Sequence, residues 1–205
     1  MPEVPRTIEV YADVACPFAH AGLRRFVDER SRRGRPEVVL RARAWPLELV
    51  NGRPLDARLV AEEIDELRAH VAPELFAGFD AARFPRTSLA AMALADAAYA
   101  VGLEKGERVS LALRDAVFEQ GLDVADGDVL ARIAADHGVA VPPSDAAVRT
   151  DWAEGQARGV VGSPHYFLPG DDFFCPALDV ARVDGRLRVR ADEAAFSDFL
   201  DRCFA

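Results

Sequence analysis

Apolar and polar residues alternate through RTIEVYADV (residues 6–14), with Ile8, Val10 and Ala12 on one side, and that period of two predicts a β-strand. The alternation stops at Cys16-Pro17. Leu23, Phe26 and Val27 then recur at helical spacing, so a helix is predicted from about Pro17. Proline suits a first helical turn because the N–H it lacks would have had no partner there. Gly34 and Pro36 end the helix, and EVVLRARAW (37–45) predicts a second strand. Strand, helix and strand at this spacing form a βαβ unit, whose two strands must run parallel.

From Pro54 to Val141 the pattern is helical throughout. LDARLVAEEIDELRAHVAPELF (55–76) sets Leu59, Ile64, Leu67 and Val71 among carboxylates and arginines. TSLAAMALADAAYAV (87–101) carries one charge, Asp96, and predicts a helix buried nearly all round, its alanines allowing close packing. GERVSLALRDAVFEQG (106–121) and GDVLARIAADHG (127–138) follow, the second closed by a C′ glycine, Gly138. A further helix lies in PPSDAAVRTDWAEGQARG, with Ser144 or Asp145 as N-cap. Strands then return. SPHYFLPG and ALDVARVDGRLRV read as two strands and a turn, Asp184-Gly185 being the hairpin signal. A last helix stripes Phe196, Phe199, Leu200, Cys203 and Phe204 along one face. The order β-α-β, helices, β-β-α predicts an α/β domain formed by residues 1–53 and 143–205, interrupted by an all-helical insertion at 54–142.

The chain has 205 residues and a net charge of −9, from 34 acidic and 25 basic side chains. That balance argues against nucleic acid as a partner, since phosphate binding needs a basic face. The run RSRRGR (30–35) is a local exception, read as a solvated helix end where arginines meet the negative pole of the helix dipole, with a small-anion site as the alternative. No segment reaches membrane-spanning length and the first ten residues lack a signal-peptide pattern, so a cytoplasmic protein is expected. Three cysteines are too few for a disulfide framework and suggest free thiols.

Chemistry concentrates in two stretches. In YADVACPFAHAGL (11–23), Cys16 stands at a strand's carboxyl end and a helix's start. Ligands of open α/β sheets bind at that end, and unpaired helix N–H groups can lower a thiol's pKa. The alternative is a small buried side chain used for packing. His20 is in the first helical turn, either assisting the thiolate or serving the core. In GVVGSPHYFL (159–168), Pro164 opens a strand, and His165 either lines the site or points away, as neighbouring strand residues do. Cys175 is either core or an unusual resolving thiol, and Cys203 falls on the apolar stripe of the last helix. No His or Cys pair has zinc spacing, so no metal is expected.

Together, D-x-x-C-P-aromatic at a strand end, the segment LRDAVFEQGLDVADGDVLARIAADHGV and a late G-V-x-G-x-P-x-x-F resemble the DsbA-like branch of the thioredoxin superfamily, nearest its cytoplasmic FrnE-type and 2-hydroxychromene-2-carboxylate isomerase-like group. The resemblance implies a thioredoxin-like fold with an inserted helical subdomain. It implies Cys16 as the nucleophile, with Pro164 as a cis-proline facing it. Pro17, Phe18, His20, Ser163 and His165 would complete the substrate-binding set. The family pattern is C-P-x-C, whereas this chain has CPFA, with Ala19 at the resolving position. A monothiol thiol–disulfide oxidoreductase is therefore expected, its partners a small thiol or a protein thiol or disulfide, with no tightly bound cofactor. The alternatives are a kappa-class glutathione transferase or hydroxychromene-carboxylate isomerase-like enzyme, whose relatives use serine at this position, and a redox-inactive binding protein. A homodimer is left open.

Overall fold

The computed structural model describes residues 6–142 and 144–205. Residues 1–5 and Pro143, the expected boundary after the insertion, lie outside the described residues. β1 (Arg6–Ala12), α1 (Pro17–Arg32) and β2 (Val38–Ala44) form the expected unit, with β1 and β2 parallel from Arg6 opposite Val38 to Ala12 opposite Ala44. Six α-helices follow among the described residues, α2 (Leu47–Asn51), α3 (Ala57–His70), α4 (Leu89–Val101), α5 (Leu103–Phe118), α6 (Gly127–His137) and α7 (Ala146–Ala157), with a short 3-10 helix, Ala81–Arg83, between α3 and α4. The chain closes with β3 (His165–Leu168), β4 (Asp171–Phe174), β5 (Leu178–Val183), β6 (Arg186–Ala191) and α8 (Glu193–Phe204).

Four strands form one sheet in the order β2-β1-β3-β4, with β3 antiparallel to both β1 and β4. β5 and β6 make a separate ribbon. The two strands and a turn read in this region are therefore four strands in two hairpins. Asp184 and Gly185 both have positive φ, 51° and 78°, the geometry that a tight two-residue hairpin demands. The other turn is at Pro169-Gly170, where Gly170 has φ 87°. β4 escapes a pattern search because its sequence, DDFF, does not alternate.

α3 departs from its expected apolar face. Val60, Ile64 and Leu67 point inward, whereas Leu59 is 42% exposed. Five residues separate Leu59 from Ile64, which places them about 140° apart around the helix. The helix also ends at His70 rather than running through Phe76, because Pro73 bars the helical conformation at the residue before it. α4 buries five consecutive residues, Ala91 to Ala95, and Ala98, close to the expected all-round burial, though Val101 at its end is exposed.

The helices close the free edge of β2. Leu40 N–H donates to Glu107 Oε1 (2.8 Å), Ala42 N–H to Tyr99 Oη (2.9 Å) and Ala44 N–H to Asp151 Oδ2 (2.9 Å). Tyr99 Oη in turn donates to the Leu40 carbonyl at 2.9 Å. An exposed edge would present these groups to any extended chain. Here side chains of α4, α5 and α7 take them at every second residue. One hydrophobic cluster runs through β1, β2, α1, α8 and helices α3 to α6. A smaller one joins Tyr11, Trp45 and Val160, which assigns Trp45 to packing.

Candidate active site

Cys16 is the N-cap residue of α1, extended at φ −88° and ψ 116°, with Pro17 buried in the first turn and Phe18 partly exposed after it. Its Sγ donates to the Ser163 carbonyl at 3.3 Å. The Ser163-Pro164 peptide is cis. Ser163 Oγ accepts the Asp13 N–H at 2.9 Å, so Ser163 fastens the β3 approach to the strand end that carries the cysteine. The buried Asp13 carboxylate folds this strand end, accepting the N–H groups of Ala15 (2.9 Å) and Leu47 (2.7 Å). Burial still pushes its pKa up. α1 passes close to the proline loop: a Cβ on Gly22 would lie 3.3 Å from Tyr166 Oη and 3.7 Å from Pro164 Cγ.

The expectation of a lowered thiol pKa is overturned. Cys16 is only 2% exposed, and burial pushes its pKa from an ordinary 9.0 up to about 12, against the opposing hydrogen bonds at Ser163 and Ala19. Glu63 of α3 and Asp13 raise it further. A helix start favours an anion by about 0.3–2 kcal/mol. The rise from 9.0 to about 12 corresponds to roughly 4 kcal/mol, so desolvation wins.

Neither histidine serves the thiol. His20 is fully buried between Phe76 and Phe118, at ring-centroid distances of 5.2 and 5.0 Å, and its Nε2 meets Glu119 Oε1 at 2.7 Å. Burial holds its pKa below the usual 6.5 against the pull of Glu119. The side chain is thus committed to α5 and not to the cysteine that precedes it by one helical turn. His165 Nδ1 accepts the Val161 N–H at 3.2 Å, which leaves the proton on Nε2, 2.7 Å from Asp172 Oδ2. The ring stacks on Phe167 at 4.7 Å, and it braces the loop from outside instead of lining the site. Within that loop Gly162 leaves room for Phe174: a Cβ there would come within 2.5 Å of Phe174 Cε2. Val161 and Phe174 are both largely exposed, an apolar surface beside the loop.

Two neighbours, Glu63 and Arg114, were missed in the sequence, whereas Cys175 had been read as either core or a resolving thiol. Glu63 is indistinguishable from the other carboxylates of AEEIDEL, and burial raises its own pKa to about 7. Arg114 is fully buried, bonded to Ser110 O (2.9 Å), Ser110 Oγ (2.6 Å) and Asp13 O (3.4 Å). A lone arginine inside the apolar run LALRDAVF is the signal that could have found it. Cys175 follows β4 with φ 46°, and its N–H donates to the Pro164 carbonyl at 2.9 Å. The run 30–35 is paired with acids: Arg30 with Glu107 (2.7 Å), Arg33 with Asp201 (2.7 Å), and Arg35 with Glu37. Among the described residues no helix is long and apolar enough to cross a membrane, and no three His, Cys, Asp or Glu are grouped to hold a metal ion.

Comparison with solved structures finds the same fold. A cytosolic disulfide reductase, DsbM, from Pseudomonas aeruginosa superposes with a TM-score of 0.59 at 15% identity, over 95% of this chain and 97% of that one. A structure described as a "probable DsbA oxidoreductase" from Streptomyces coelicolor gives 0.66 at 19% identity, over 96% and 89%. A 2-hydroxychromene-2-carboxylate isomerase gives 0.52 at 14%, over 82% and 88%. No curated protein sequence matches. Residues 7–188 match the model of the DSBA-like thioredoxin domain. With the strand-end cysteine, the proline loop packed against it and the helices set between the two halves of the sheet, the chain belongs to the DSBA-like thioredoxin domain family.

Proposed function

We propose that the protein is a cytoplasmic thiol–disulfide oxidoreductase working through Cys16 as its one thiol in the CPFA motif. The observation that carries this reading is the 3.3 Å contact between Cys16 Sγ and the Ser163 carbonyl, which sets the sulfur against the loop beside Pro164. In the reaction, Cys16 thiolate attacks one sulfur of a disulfide RS–SR. An S–S bond forms to Cys16, the old one breaks, and RS⁻ leaves and takes up the proton that Cys16 lost. A second thiol then attacks the mixed disulfide and restores Cys16. Ser163 and Pro164 border the sulfur, Pro17 and Phe18 flank it, and Val161 and Phe174 supply an apolar rim for the partner. A buried, protonated thiol cannot attack, so the surface over Cys16 has to open first. A small thiol such as glutathione suits the co-substrate role, and the DsbM structure has also been solved with GSH.

The burial of Cys16 and its raised pKa favour a second reading, a redox-inactive binding protein that keeps the cysteine as packing. Exposure to oxidised glutathione, followed by peptide mass spectrometry, separates the two. A glutathione adduct at Cys16, with disulfide-reductase activity abolished in Cys16→Ser, supports the oxidoreductase. Activity that survives Cys16→Ser, with saturable glutathione binding, points to a transferase- or isomerase-like enzyme. Neither adduct nor turnover leaves the binding protein.

A further inference from the structure

CPFA lacks a resolving cysteine in sequence, yet the tertiary structure brings another cysteine to the loop that Cys16 contacts. Cys16 reaches the Ser163 carbonyl with its Sγ, and Cys175 holds the next carbonyl, that of Pro164, with its N–H at 2.9 Å. The two residues therefore grip neighbouring carbonyls of one short segment, Cys16 from the start of α1 and Cys175 from the end of β4. The last register pair of β3 and β4, His165 opposite Phe174, fixes this placement, since the next step along the ladder is Pro164 opposite Cys175. The backbone turns sharply there: Cys175 has φ 46°, a left-handed conformation that side chains rarely adopt, and its N–H and carbonyl are both bonded, to Pro164 O and from Leu178 N–H (3.1 Å). Both thiols are free and both belong to the same apolar cluster. Cys203, also buried, is on α8, and among the described residues it makes no hydrogen bond to that loop.

Building on the oxidoreductase reading, we infer that Cys175 is the resolving thiol of Cys16. After Cys16 has formed Cys16–S–S–R and released RSH, Cys175 thiolate attacks Cys16 Sγ. The bond to R breaks, RS⁻ leaves and takes the proton of Cys175, and a Cys16–Cys175 disulfide remains. The substrate disulfide has gained two electrons and appears as two RSH, and the protein has lost two. Two equivalents of a small thiol, R′SH, return the protein to its dithiol state and leave as R′S–SR′.

The test treats the full chain with oxidised glutathione, quenches by acid and maps disulfides by peptide mass spectrometry. The expected product is a Cys16–Cys175 cross-link, with the Cys16–glutathione adduct only transient. In Cys175→Ala the adduct should persist at least about tenfold longer, because an intramolecular attack has been lost. Cys175→Gly accepts the positive φ without strain and gives the same readout in a relaxed backbone, and Cys203→Ala should behave as the parent does. An adduct at Cys16 equally long-lived in the parent and in both Cys175 variants overturns the resolving role while leaving the monothiol reading standing. The absence of any adduct or cross-link at Cys16 in all four proteins overturns both.

Discussion

Cys16 is governed by what surrounds its sulfur more than by its place at a helix start. Its pKa, raised from 9.0 to about 12 chiefly by burial, has a consequence for stability. Below pH 9 the thiol is protonated in folded and unfolded chains alike, and the stabilisation is present in full. Between 9 and 12 only the unfolded chain ionises, so stability falls as pH rises toward the folded value. Cys175 and Cys203, both also raised to about 12 by burial, act in the same direction. Urea unfolding at neutral pH and at about pH 10 should show a loss of stability in the parent that is visibly smaller in Cys16→Ala. Equal losses would mean that Cys16 is solvated in the native protein. Across the neutral range Cys16 in the folded chain should alkylate far more slowly than a free thiol with its pKa of about 8.5, and peptide mass spectrometry over a pH series reads this directly. That cysteine was identifiable from the residues around it. Its protonation was not, because it is set by burial and by groups such as Glu63 and Ser163, which come from 47 and 147 positions along the chain.

At the scale of elements, side chains of the inserted helices hold the parts together. Glu119, following α5, accepts the N–H groups of Phe76 (2.8 Å) and Ala77 (3.1 Å) while paired with His20 of α1. Burial works to raise its pKa, but these donors outweigh that and hold it below 4.5. Glu119→Ala leaves the donors of buried His20 and Phe76 unmet, while the exposed Ala77 N–H can turn to water, and should cost about 2–4 kcal/mol, measured by chemical denaturation. The His20 contribution is present above pH 6.5 and is lost as pH falls toward its depressed folded value, and that of Glu119 is present above 4.5 and lost below it. Acid should therefore loosen the 71–80 loop before it unfolds the sheet, with tyrosine and tryptophan fluorescence lagging behind hydrogen exchange in that loop. A second junction is Gly106, where a Cβ would come 2.0 Å from Tyr99 Cδ1. Alanine would gain about 1 kcal/mol of helix propensity. It would displace the ring whose hydroxyl bonds both Leu40 and Ala42, and the net effect of Gly106→Ala should be a loss of about 1–3 kcal/mol. Tyr99→Phe removes those bonds without a clash and should cost about 1–2 kcal/mol; a neutral result for both would detach α4 from the edge of β2. The helices themselves were visible from apolar spacing, apart from short α2. β4 was hidden by two aspartates, and the side-chain bonds along β2 leave no trace in periodicity.

Across the whole molecule the inserted helices and the sheet share one hydrophobic cluster, and β2 is bonded to α4, α5 and α7 along its edge. A division into two independently folding parts would need few contacts across the boundary. Thermal unfolding should accordingly give one transition, with far-ultraviolet and near-ultraviolet circular dichroism coincident. Two separated transitions would show that residues 54–142 unfold on their own.

The sequence by itself determined the parallel βαβ unit, the helical middle, the apolar stripe of α8 and the family, because each rests on local periodicity or on short motifs whose residues are close in the chain. It also determined which cysteine stands at a strand end beside a proline helix start. Tertiary structure alone decided that His20 and His165 turn to Glu119 and Asp172, that Cys16 is protonated in the closed protein, and that Cys175 comes to the proline loop. Those outcomes depend on burial and on partners brought together by strand pairing and helix packing over long chain separations, and no spacing within one segment encodes them.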